Sequence, residues 1–223
     1  MLLQREAPAL GSCLMPVQRE APALGRPAAE APMQTARAAV GVVPTLRAAE
    51  QFAAAEVIVF YFWNHDWSPD RYAQVDAFLA HGGGLALFHS ACISDKEPEK
   101  LAERIGLAAQ PGPTQYRHTA VLLNFVGPTN DAVTRGFKQL DLLDEPYWPL
   151  FGDTNRIEVL AAADVDGQSR PLVWTFQKGK GRVFASVMGH YTWTLEDPLF
   201  RVLALRGVAW AAGQRVERLE ASN

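Results

Sequence analysis

Four groups of polar residues in this chain, at expected strand ends or loops, carry side chains that could do chemistry. They are His89, the run Asp144-Glu145-Pro146-Tyr147, the pair Gly189-His190, and Trp193 three positions further on. Imidazole titrates near neutrality and can act as acid, base or metal ligand. Two imidazoles, a carboxylate and a phenol brought to one crevice supply general acid–base capacity. The same nitrogen and carboxylate donors suit a divalent metal, but no His-x-x-x-His spacing marks one, so the cofactor stays unknown at this level. Each residue also has a plainer reading. His89 can be a hydrogen-bonded closure of a strand, and Asp144-Glu145 a solvated turn.

Other candidates rank lower. His65 lies in Asn64-His65-Asp66-Trp67, just after an apolar run, and His118 lies just before another. His81 falls in the last turn of an expected helix, where a cation meets the carbonyl end. Cys92 lacks the flanking glycines of a nucleophile elbow and reads as a small buried residue. Gly179-Lys180-Gly181-Arg182 lies between two expected strands, so it is not a phosphate loop.

The elements around these residues have to place them. Residues 57–62 form a continuous apolar run, the pattern of a strand covered on both faces. Ser68 and Pro69 then open a helix whose inward stripe is Tyr72, Val75, Phe78 and Leu79, ended at Gly82. Gly82-Gly83-Gly84 leads into a strand over 85–88 that stops at His89. This βαβ pattern puts His89 and His65 at carboxyl ends of strands, where open α/β sheets bind ligands. Ser94 and Glu97 have capping-box spacing before a helix over 97–105. Strands follow at 119–126, 157–163, 171–176 and 182–188, the last two joined by a tight glycine-containing reversal. Asp197 and Pro198 open a final apolar helix ending at Gly213, with Phe200, Leu203 and Trp210 facing the sheet.

The totals exclude several classes. At 223 residues with net charge −3, the chain suits one α/β domain and lacks the basic face of a nucleic-acid binder. Its longest apolar run, 57–63, is too short to span a membrane. Two cysteines give no disulfide framework or metal cluster, which is compatible with the cytoplasm, the expected location. Residues 1–33 are Ala/Pro-rich and repeat Gln-Arg-Glu-Ala-Pro-Ala-Leu-Gly at 4–11 and 18–25. They read as a flexible extension, because two copies are too few for a solenoid and prolines oppose a long helix. The domain is expected over 34–213, followed by a tail over 214–223. A short strand is expected at 38–43 and a helix at 46–54. Trp148 is compatible with a homodimer face or with the core.

Taken together, several stretches resemble the ThuA-like, or trehalose-utilisation, family. They are Gly82-Gly83-Gly84-Leu85-x-x-x-His89-Ser90-Ala91, Asp144-Glu145-x-Tyr147, Pro171-Leu172-Val173-Trp174, Gly179-Lys180-Gly181-Arg182-Val183-Phe184, Gly189-His190, Phe200-Arg201-x-Leu203, and Gly207-Val208-Ala209-Trp210-Ala211-x-Gly213. The resemblance implies a flavodoxin-like three-layer sandwich with a mainly parallel sheet and an antiparallel hairpin near the C-terminus. It also implies kinship with class I glutamine amidotransferases, whose cysteine nucleophile occupies the strand end held here by His89. The family's His-Pro-Ile-Thr stretch is Asp131-Ala132-Val133-Thr134 in this chain, and residues 1–37 lack its usual first strand and loop.

What the resemblance implies for function is action on trehalose, a related disaccharide or a keto-sugar, as a hydrolase, lyase or isomerase. Carried onto matched positions, His89, Glu145 and His190 are the catalytic candidates. Tyr147, Trp193, His65 and His118 are the substrate-binding ones, with a small sugar as the partner. A divalent metal is compatible with this set. Two rivals stand beside the enzyme reading: a noncatalytic sugar-binding or regulatory domain, and an amidotransferase-like hydrolase using Cys92.

Overall fold

The computed structural model describes residues 52, 54–128 and 131–216. The expected strand at 38–43, most of the helix at 46–54, the repeated octamer and most of the tail lie outside them.

Seven strands form one sheet in the order β1-β2-β9-β8-β7-β4-β5. They are β1 (Val57–Phe60), β2 (Gly84–Phe88), β4 (Thr119–Phe125), β5 (Gln139–Asp144), β7 (Glu158–Val165), β8 (Gln168–Lys178) and β9 (Gly181–Ser186). Two short strands, β3 (Gln115–Tyr116) and β6 (Tyr147–Trp148), pair separately. Only β1–β2 and β2–β9 are parallel. The pairs β9–β8, β8–β7, β7–β4 and β4–β5 are antiparallel. The expectation of a mainly parallel sheet is therefore corrected: the sheet is mixed, with its antiparallel part the larger. The reason is local. Parallel neighbours need a long crossover, whereas β7 and β8 are joined by Asp166-Gly167 with both residues at positive φ, the geometry of a two-residue hairpin.

Helices cover both faces of the parallel part. They are α1 (Pro69–Ala80), α2 (Pro98–Ile105), the short α3 (Thr192–Glu196) and α4 (Pro198–Ala211). Side chains alternate along a strand, and β9 shows the two layers directly. Gly181 has no room for a Cβ against Leu79 of α1, while Gly207 of α4 sits so close to the Phe184 ring that a Cβ would overlap it. The expected α1 stripe of Tyr72, Val75, Phe78 and Leu79 is buried. In α4, Asp197 accepts hydrogen bonds from the N–H groups of Leu199 and Phe200 at 2.9 Å, which caps the helix as its sequence predicts. Trp210, in contrast, is only partly buried.

Two expected caps differ. Ser68 occupies the N-cap position of α1 without a side-chain cap bond. The capping box of Ser94 and Glu97 does not form. Pro98 starts α2, Glu97 is left-handed at φ 51°, and Ser94 Oγ donates to Lys96 O. Trp148 is buried and belongs to the core, so it is not a surface for dimerisation.

Candidate active site

The sheet order explains why distant polar residues meet. Strands β1, β2, β9 and β5 all run in one direction, and β4 runs against them. One edge of the sheet thus carries the carboxyl ends of β2, β9 and β5 together with the start of β4. Those ends deliver His89, His190, Glu145 and His118 respectively.

His89 begins a 3-10 turn, His89–Cys92, directly after β2, and it adopts φ 51°. A left-handed conformation is strained for a histidine, and such strain gathers where a side chain must be aimed. Its Nδ1 faces Val187 O at 3.2 Å. A carbonyl only accepts, so Nδ1 carries the hydrogen and Nε2 of the neutral ring presents a lone pair. That Nε2 lies 2.9 Å from Tyr147 Oη, 2.9 Å from His190 Nδ1 and 3.3 Å from Glu145 Oε2. Burial lowers the His89 pKa from 6.5 to about 4, and neighbouring His190 adds to this against the opposing Val187 carbonyl. The Asp144 carboxylate favours the charged ring and His118 opposes it, both more weakly.

Glu145 is buried at the middle of the cluster. Its Oε2 lies 2.9 Å from His190 Nδ1 and accepts from Tyr147 Oη at 3.3 Å. Its Oε1 lies 3.5 Å from His118 Nε2. Burial, with the adjacent Glu145 carboxylate, raises the Tyr147 pKa far above neutrality, so the phenol keeps its proton as a donor.

Asp144 holds the scaffold. The alternation that turns Leu140 and Leu142 inward along β5 buries Asp144 as well. A lone buried carboxylate is costly, and three backbone donors compensate it. Oδ1 accepts from Glu145 N at 2.7 Å and His190 N at 3.0 Å, and Oδ2 accepts from Gly189 N at 2.8 Å. Tyr61 Oη donates to Gly189 O at 2.6 Å from the other side. Gly189 itself stands at φ 115°, a conformation glycine supplies without steric cost. The loop that carries His190 is thus gripped at both polar atoms of one peptide unit.

An aromatic rim borders the cluster. Trp193 is half exposed, donates through Nε1 to Leu143 O at 2.8 Å and stacks on Tyr191 at 4.1 Å. Tyr191 Oη is hydrogen-bonded to His118 Nδ1, and the His118 ring lies 5.2 Å from that of His190. His65 makes its contacts elsewhere: its Nδ1 is 2.7 Å from Asp95 Oδ2 and its ring stacks on Trp63. His81 bonds back to Ala77 O at the end of α1, as its position predicts. Cys92 is fully buried, and burial drives its thiol pKa far up. A protonated thiol is a poor nucleophile.

The comparisons agree with this frame. The family profile described as ThuA, trehalose utilisation, matches residues 23–211. The chain belongs to the ThuA family. Among solved structures, a ThuA-like protein from Parabacteroides merdae shares 22% identity at TM-score 0.63, with 74% of this chain and 73% of that one covered. A second ThuA-like protein, from Bacteroides uniformis, shares 19% identity at TM-score 0.58, with 75% of each chain covered. A protein of Salmonella typhimurium described as cytoplasmic shares 18% identity at TM-score 0.53, covering 79% of this chain and 76% of that one. At these identities the likeness concerns the fold. No match is found among curated proteins. Among the described residues no helix is long and apolar enough to cross a membrane.

Two ThuA-cluster residues with clear structural roles escaped the sequence analysis: Tyr61 and Tyr191. Tyr61 lies within the apolar run at 57–62, and Tyr191 sits between His190 and Trp193. Asp144 was visible only as part of a polar run. A period-two reading of 139–144 would have marked it as inward-facing.

Proposed function

We propose that this ThuA-family protein acts in the cytoplasm on a sugar or keto-sugar of trehalose or disaccharide utilisation, by acid–base chemistry at His89, Glu145 and His190. The observation that carries the reading is the convergence of Tyr147 Oη, His190 Nδ1 and Glu145 Oε2 within 3.3 Å of the His89 Nε2 lone pair. A neutral imidazole and a protonated phenol side by side form a base and a donor, the pair that proton abstraction beside a carbonyl requires.

On a keto-sugar, His89 Nε2 takes the proton from the carbon next to the ketone. The C–H electron pair becomes the C=C bond of an enediolate, and the carbonyl π pair moves onto oxygen. That oxygen is held by hydrogen bonds from Tyr147 or His190. Returning the proton to the neighbouring carbon gives an isomerase. Alternatively the ketone re-forms, the enolate electron pair makes a C=C bond to the next carbon, and the glycosidic C–O bond breaks with its oxygen taking the proton held on His89, as in a lyase. Adding water across that C=C bond completes a hydrolysis. Glu145 orients His190 and balances charge. Trp193 offers an apolar ring face to a pyranose, with His118 and Tyr147 at the cluster and His65 further along the strand ends.

A proton NMR time course tests this, using purified protein with trehalose, other glucosides and their 3-keto derivatives. Product signals are expected, and His89→Asn, which tolerates the left-handed backbone, should slow their appearance by ~100-fold or more. Saturable broadening of sugar resonances without product would replace the enzyme reading with a noncatalytic binding domain.

A further inference from the structure

His89 Nε2 and Glu145 Oε2 face each other at 3.3 Å as two acceptors, because the His89 hydrogen is on Nδ1. His190 Nδ1 lies 2.9 Å from both. We infer that His89, Glu145 and His190 form a divalent-metal site, an inference that rests on the reading of this cluster as the active centre. The three ligand atoms lie within 4.8 Å of one another. Ligands about 2.05 Å from a tetrahedral ion stand about 3.3 Å apart, so the observed separations need to open by only a few tenths of an ångström. An ion at that bond length sits about 1 Å out of the plane of the three atoms.

The surroundings match the donor set. A ligating histidine commonly passes its other N–H to a backbone carbonyl, fixing ring and tautomer, and His89 does this with Val187. The His190 backbone is fixed by Asp144, and its side chain takes the tautomer with the hydrogen on Nε2 when Nδ1 ligates. Two histidines and one carboxylate leave further coordination positions for water or substrate. The His190 side chain is 34% exposed, so the cluster is reachable from solvent. With an ion bound, His89 Nε2 would serve as a ligand and no longer as the free base, and a metal-bound water would be left to accept the substrate proton. A keto-sugar oxygen bound there would be polarised beside the Tyr147 hydroxyl.

Co²⁺ titration of the untagged full chain, after stripping with a chelator, tests the site through its visible d–d absorption. One Co²⁺ per chain is expected. His190→Ala and the near-isosteric Glu145→Gln should each weaken binding by ~100-fold or more, with the fold checked by circular dichroism. His81→Ala, at the end of α1 where the ring bonds back to Ala77 O, should leave the spectrum unchanged. A missing band, or one that survives both cluster variants, overturns the metal site. Keto-sugar turnover by stripped protein that binds no Co²⁺ overturns it too, while leaving the acid–base reading standing. A band lost in both variants supports the site even where no sugar is turned over, and that result counts against the sugar reading alone.

Discussion

The Asp144 carboxylate accepts the backbone N–H of His190 at 3.0 Å, across 46 positions of sequence. With Gly189 N and Glu145 N on the same carboxylate, one buried side chain fixes the backbones of both the glutamate and the histidine that meet at the candidate centre. Asp144 therefore acts as a positioning residue, and its contribution is geometric.

Asp144→Asn should expose that role. One amide oxygen cannot replace two carboxylate oxygens, and the new N–H₂ group meets a backbone donor. A loss of about 3 kcal/mol is expected, measured by urea unfolding, together with displaced His190 ring resonances in NMR. Wild-type stability with unmoved resonances would contradict the assignment.

Acid should destabilise the protein partly through His89. Its folded pKa is lowered from 6.5 to about 4, so the unfolded chain binds the proton more readily. This contribution is complete above pH 6.5 and is lost as pH falls toward about 4, with a full size on the order of 3 kcal/mol. Unfolding free energies across that window should fall more steeply for wild type than for His89→Asn. Parallel curves would show that His89 is not held neutral.

Gly84 starts β2 against the end of α4, and a Cβ there would lie 2.1 Å from Ala211 O. Gly84→Ala must push the helix off the sheet, at a cost of about 2–3 kcal/mol. A fall in Tm of about 5–10 °C is expected by calorimetry. An unchanged Tm would mean that α4 does not pack as closely as described.

Cys92 should resist modification in the folded protein, since its thiol is buried and held protonated. Iodoacetamide followed by peptide mass spectrometry should find Cys92 unlabelled until denaturant is added. Fast native labelling with matching loss of sugar turnover would revive a cysteine nucleophile.

Much of this was legible along the chain because it is written in local periodicity. The α1 stripe, the Asp197-Pro198 cap and the β2 run ending at His89 each depend on neighbours a few positions apart. So did the hairpin between β8 and β9. The sheet's mixed character was harder to read. Strand direction depends on the connection, and the two-residue Asp166-Gly167 turn was passed over. A solvated turn stayed open as the alternative for Asp144-Glu145 because charge masked the alternation of Leu140, Leu142 and Asp144.

The sequence by itself determined which chemistry was on offer: two histidines after expected strands, and a glutamate and a tyrosine in a polar run, with no nucleophile elbow. Only the tertiary structure decided which of them meet. His65 and His89 both follow parallel strands, yet His65 turns to Asp95 and Trp63 while His89 reaches Tyr147, Glu145 and His190. The physical reason is that the His89 contacts close between residues 56 to 101 positions apart. Sheet order and the buried Asp144 bridge set them, and no local pattern carries that information.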